Sequence, residues 1–192
     1  METERVNSQY FDREDYLVRA VAELKSSGIL ASYPVPYVWL SVGWPLGSRK
    51  AIGQCHHGIV LSEDKHDHIF ISPVLQEDRV LDVLIHELGH AALGHDVPAH
   101  KKEFRDFMRA TGLTGKPTAT TAGPELESKL KAIREHLGPY GHKRLDKAEK
   151  RKVQSTRMIK LECPDCGYVV RAAKKWIETG LPLCHCGTEF IY

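Results

Sequence analysis

VLDVLIHELGHAALG, residues 80–94, contains no proline and carries apolar side chains on every side, among them Val83, Leu84, Ile85, Leu88, Ala91 and Leu93. A helix that is apolar all round is a buried one. The spacing predicts a helix over 80–93, stopped by Gly94. Its centre nevertheless holds His86, Glu87 and His90, polar groups that a dry interior accepts only when they are satisfied.

Four residues is a little more than one helical turn, so His86 and His90 lie one above the other on a single face. Two imidazoles so placed can share one zinc ion, with Glu87 alongside as general base. This is the His-Glu-x-x-His arrangement of zinc peptidases. A catalytic zinc takes a third protein ligand and keeps one open position. Two candidates follow the helix. His95 could swing back through a tight turn, whereas His100 opens an expected helix over 101–111 whose Phe104, Phe107 and Met108 form a core-facing stripe. A loop that begins with Gly94 and contains Pro98 returns His100 more easily. The longer pattern with Gly three residues and His six residues beyond His90 is absent, since Leu93 and Asp96 stand there.

Ahead of this helix, 12–27 reads as another, with Asp12 as N-cap, a stripe of Leu17, Ala20, Val21 and Leu24, and Gly28 as its stop. Pro34 and Pro36 break the chain. Tyr37 to Trp44 alternates, with Val38, Leu40, Val42 and Trp44 on one side, and predicts a strand. Residues 51–55 and 58–61 carry weaker strand signals, and 68–72 a further strand ended by Pro73. This order predicts an α+β domain: an N-terminal helix and a small antiparallel sheet leading into the central helix, followed by further helices. Cys55, His56 and His57 have no partner spacing and read as a strand end. Beyond Leu113, Pro124 to Leu137 predicts an amphipathic helix with Leu126, Leu130, Ile133 and Leu137 on its inner face.

From Met158 the chain changes character. Cys163-Pro-Asp-Cys166-Gly and Cys184-His-Cys186-Gly are two short turns, each with glycine after its second cysteine. Thiolates so spaced can share one tetrahedral zinc, and glycine relieves strain where the backbone folds back. The unit is too small to fold on its core alone, so the metal would supply the stability. We expect a zinc ribbon over 158–192, with a strand near 168–171 and a packing Trp176. The one-residue spacer leaves open whether His185 replaces a thiolate. The expected organisation is thus a main domain over 1–140, a basic linker over 141–157, and the ribbon.

At 192 residues, 42% hydrophobic and 27% charged, the composition is that of a globular chain with one sizeable core. No apolar run reaches the length of a membrane span, and residues 1–12 are unlike a signal peptide. We expect no membrane partner and a cytoplasmic or nucleoid-associated protein. The paired cysteines fit metal binding in a reducing compartment. The net charge of +2 hides an asymmetry: residues 1–140 hold 16 Lys/Arg against 19 Asp/Glu, and residues 141–192 hold 11 against 6. A basic C-terminal part on an acidic body suggests attachment to a polyanion such as nucleic acid.

His86-Glu87-x-x-His90, a short loop, then His100-x-x-x-Phe104 resembles the SprT-like zinc metallopeptidases, relatives of the eukaryotic protease Spartan. The likeness covers about 37–113 and the C-terminal cysteine module. The stretches 118–123 and 137–142 are similar to bacterial and phage-encoded members, without chemistry assigned to them. The resemblance implies His100 as third ligand, one catalytic and one structural zinc, a zincin-like fold, and a ribbon that contacts DNA. The expected activity is that of a zinc endopeptidase acting on DNA-associated or DNA-crosslinked proteins, with single-stranded or damaged DNA as partner. Two other classes compete: a non-catalytic nucleic-acid or transcription-associated zinc protein, and a peptidase specific for one regulatory protein.

Overall fold

The computed structural model describes residues 12–45, 51–141, 143–145 and 158–192. The chain is α+β and divides into two compact units, 1–146 and 147–192. That division falls inside the expected linker, most of which lies outside the described residues. Among the described residues no helix is long and apolar enough to cross a membrane.

The first unit opens with α1 (Arg13–Ser26). Asp12 caps it by accepting from the Asp15 N–H at 2.8 Å, a contact of the kind worth about 1 kcal/mol. Leu17, Ala20 and Leu24 are buried, as their spacing requires, together with Tyr16. Gly28, at φ +77°, turns the chain away. Arg13 is buried too: it donates to the Pro73 carbonyl at 3.0 Å and lies over the ring of Tyr140, 4.8 Å from its centroid. Tyr140 also meets Tyr16 edge to face at 5.0 Å, so Tyr140 closes the core against α1.

Strands β1 (Val38–Val42), β2 (Gly53–His56) and β3 (Asp67–Ile71) form a sheet in the order β1-β3-β2. The sheet is mixed, which corrects the antiparallel expectation: β1 runs parallel to β3, and only β2 is antiparallel to it. A parallel pair needs a long crossover, and the 43–66 connection, which contains β2, provides one. Residues 58–61 also depart from expectation, forming a short helix α2 (Gly58–Leu61) instead of a strand. Asp67 captures the Gly58 N–H at 2.8 Å, and a Cβ at Gly58 would lie 2.0 Å from the His66 carbonyl oxygen. The chain is therefore turned out of the sheet at this point. Trp44, expected on one side of the strand with Val38, Leu40 and Val42, lies beyond the end of β1 and is 62% exposed.

The central helix α3 (Val80–Leu93) has the bounds its periodicity predicts, preceded by a single 3-10 turn, Glu77–Arg79. It packs on β2 and β3 and on the next helix, α4 (Lys102–Thr111). A hairpin follows that residue patterning did not indicate: β4 (Leu113–Lys116) and β5 (Ala119–Ala122), turning at Pro117 and Thr118, with Gly115 inside β4 at φ +90°. Its threonine-rich strands lack the apolar alternation that marks a half-buried strand. β5 lies against α3. Helix α5 (Pro124–Leu137) then buries Leu126, Leu130, Ile133 and Leu137 and packs on α1.

The second unit contains the antiparallel pair β6 (Ile159–Glu162) and β7 (Val169–Ala172) and a single turn of helix, α6 (Lys174–Ile177). Its buried centre consists of Leu161, Phe190, Cys163 and Cys184. Trp176, expected to pack there, is 61% exposed with Lys175 Nζ 4.6 Å above its ring; Phe190 fills the core instead.

Candidate metal centres

His86 and His90 project from one face of α3, and the loop before α4 brings His100 to them. The three Nε2 atoms converge, at 3.3 Å between His86 and His90, 3.1 Å between His90 and His100, and 3.3 Å between His100 and His86. His95 takes no part. It is half exposed, with Nδ1 3.3 Å from Asp96. His100 reaches the pair by adopting φ +60°, a left-handed conformation that non-glycine residues seldom occupy unless their surroundings impose it.

Phe104 is the floor of the cluster. Fully buried, it stacks under His90 at 4.5 Å and meets the rings of His86 at 4.7 Å and His100 at 5.2 Å. The His100-x-x-x-Phe104 spacing thus places His100 in the turn just ahead of α4 and Phe104 in that helix's first turn. Gly89, inside the motif, permits this approach, because a Cβ there would lie 2.4 Å from the Phe107 ring.

Burial holds the histidines neutral. It lowers the pKa of His86 to about 4 and, with His86 and His100 nearby, that of His90 to about 3; His100 shifts down for the same reason. Each neutral ring carries one proton. His86 Nδ1 lies 2.9 Å from Thr120 Oγ1 on β5, and an N–H donated there leaves the Nε2 lone pair directed at its neighbours. Three Nε2 lone pairs so directed would suit a cation placed between them. The trio is accordingly a group that could hold a metal ion.

Glu87 is 6% exposed and borders the same cavity of about 640 Å³. Burial pushes its carboxyl up to about 8, although the Cys55 N–H of β2 donates to it and favours the charged form. Gly53 allows this contact: a Cβ there would lie 2.6 Å from Glu87 Oε1. The cavity is walled by β2 on one side and by 118–121 on the other, with Arg79 between Asp82 (2.9 Å) and the Thr120 carbonyl (3.1 Å). Arg79 and Gly53 were not singled out in the sequence, and Thr120 only as part of the 118–123 stretch, without chemistry assigned to it. No local spacing ties them to the motif.

In the second unit Cys163, Cys166, Cys184 and Cys186 form another group that could hold a metal. Sγ separations are 3.4 Å for Cys163–Cys186, 3.5 Å for Cys166–Cys184 and 3.8 Å for Cys166–Cys186. His185 is not one of the four, although its Nδ1 lies 3.4 Å from Cys184 Sγ, and its ring is edge-on to Tyr168 at 5.4 Å. Gly167 and Gly187 adopt φ +70° and +91°, and their N–H groups fold back onto the carbonyls of Cys163 and Cys184.

Compared with known proteins, the chain matches no family model, no curated protein and no solved structure.

Proposed function

We propose that this chain is a zinc-dependent endopeptidase of the SprT-like type, with a zincin-like first unit and a zinc ribbon at its C-terminus. The observation that carries the reading is the convergence of three imidazole nitrogens beside a buried glutamate on an open cavity. Zn–N bonds of about 2.0–2.1 Å in a tetrahedron separate ligand nitrogens by about 3.3–3.4 Å. The separations of 3.1–3.3 Å among the three Nε2 atoms match that edge. Zn–S bonds of about 2.3 Å give about 3.8 Å between sulfurs, close to the 3.4–3.8 Å among the cysteines.

Zinc bound by His86, His90 and His100 would supply a Lewis acid to polarise a peptide carbonyl and acidify water. A dication held there would also offset the burial that raises the Glu87 carboxyl. Glu87 then accepts a proton from water and delivers it to the departing amine. Thr120 holds the His86 ring in register, and Phe104 keeps all three rings from tilting. An extended peptide would lie along β2, whose outer edge borders the cavity, and add to it as a strand.

The substrates proposed are proteins associated with or crosslinked to DNA. The second unit supports this through its exposed Arg171, Lys174 and Lys175, and the chain ahead of it is rich in lysine and arginine.

The test is proteolysis with and without single-stranded DNA, alongside metal content, for the parent and Glu87→Gln. Glu87→Gln should keep the ions at the histidines and at the four cysteines and lose cleavage. Cleavage at the parental rate would remove Glu87 from the mechanism. Proteolysis indifferent to DNA would favour a peptidase specific for one regulatory protein, and DNA binding without proteolysis a non-catalytic zinc protein.

A further inference from the structure

The structure assembles a third set of metal-ligand side chains, separate from the two above. Cys55 and His57 lie two residues apart on β2 and its exit, hence on one face of the strand. The β2–β3 register pairs Cys55 with Ile69 and His56 with His68, and one step further it sets His57 opposite Asp67. The tertiary pairing therefore adds a carboxylate to a cysteine and a histidine that have no metal spacing of their own. One ligand atom from each of the three lies within 4.8 Å of the others.

The geometry points to a further zinc site formed by Cys55, His57 and Asp67 at the wall of the cavity. His57 Nδ1 and Asp67 Oδ2 are 3.3 Å apart, the edge expected of a tetrahedron with a nitrogen and an oxygen ligand. Asp67 is oriented for the role: Oδ1 accepts the Gly58 N–H at 2.8 Å, which leaves Oδ2 toward the histidine. Both side chains are largely enclosed, at 23% and 13% exposure for His57 and Asp67. Cys55 and His57 line the cavity, so an ion has a route in and a fourth position open to water. One thiolate, one imidazole and one carboxylate form a donor set suited to zinc and poorly suited to calcium or magnesium. The ion would clamp the exit of edge strand β2 to β3, holding the strand whose Cys55 N–H contacts Glu87.

The test is native mass spectrometry of the full chain at about ten micromolar free zinc, with cadmium-113 NMR of the exchanged protein. The parent should carry three ions, and Cys55→Ala two. Asp67→Asn, which keeps an oxygen for the Gly58 N–H, should also carry two. A cadmium resonance characteristic of a single thiolate should appear in the parent and vanish in Cys55→Ala. His86→Ala serves as control: it should lose one ion and keep the single-thiolate resonance, so that failure of the peptidase reading is distinguishable from failure of this one. Equal ion counts in the parent, Cys55→Ala and Asp67→Asn, with no single-thiolate resonance, would overturn the site.

Discussion

His86 Nδ1 lies 2.9 Å from Thr120 Oγ1, and the Thr120 carbonyl accepts from Arg79, which also grips Asp82 in the first turn of α3. The β4–β5 hairpin thus orients the ligand ring and is itself tied to the helix that bears it. Outer partners of this kind set ring orientation and basicity, and their loss typically costs about 10–100-fold in metal affinity. Thr120→Val removes the hydroxyl and keeps the shape. It should weaken metal binding at the histidines by that factor without lowering helix content, as read by chelator competition. Thr120→Ser should restore it.

Gly89 sets the distance between α3 and α4. Gly89→Ala would drive a methyl into the Phe107 ring, at 2.4 Å before relaxation. Overpacking of this kind costs about 1–3 kcal/mol. A lower Tm, partly recovered by adding Phe107→Leu, is the expected result. A Tm unchanged by Gly89→Ala alone would show that α4 yields freely.

Glu87 carries a pH signature in the metal-free chain. Its folded pKa is raised to about 8 by burial, against about 4.3 for an unfolded glutamate. Between those values the folded state binds more protons, so this group makes the protein less stable as pH rises through the window. Glu87→Gln removes that loss. The variant should melt above the parent at pH 8, and the gap should close near pH 5. The histidines titrate alike in both proteins and cancel in the difference.

The second unit has a very small buried centre in Leu161 and Phe190 beside two cysteines. So small a core does not hold a fold alone, and a metal held by the four cysteines would supply folding energy. Cys163→Ser should lose one ion and render 158–192 sensitive to limited proteolysis, while the ion at His86, His90 and His100 remains. Retained protease resistance would show that the unit is held by its strands instead.

The parts legible in the sequence are those fixed by near neighbours along the chain. The helix over 80–93 and its paired histidines follow from a 3.6-residue period. The cap at Asp12, the inner face of α5 and the cysteine turns with their glycines follow from spacings of two to four residues. Other features arise from segments that meet only after folding. The left-handed turn at His100, the Phe104 floor, and the space left by Gly53 and Gly89 depend on α3 meeting β2 and α4. Thr120 reaches His86 across 34 residues, and Asp67 faces His57 through the antiparallel pairing of β2 with β3. A local pattern can state which side chains a helix or turn presents, but which distant side chain completes a site is decided by the packing that buries them together.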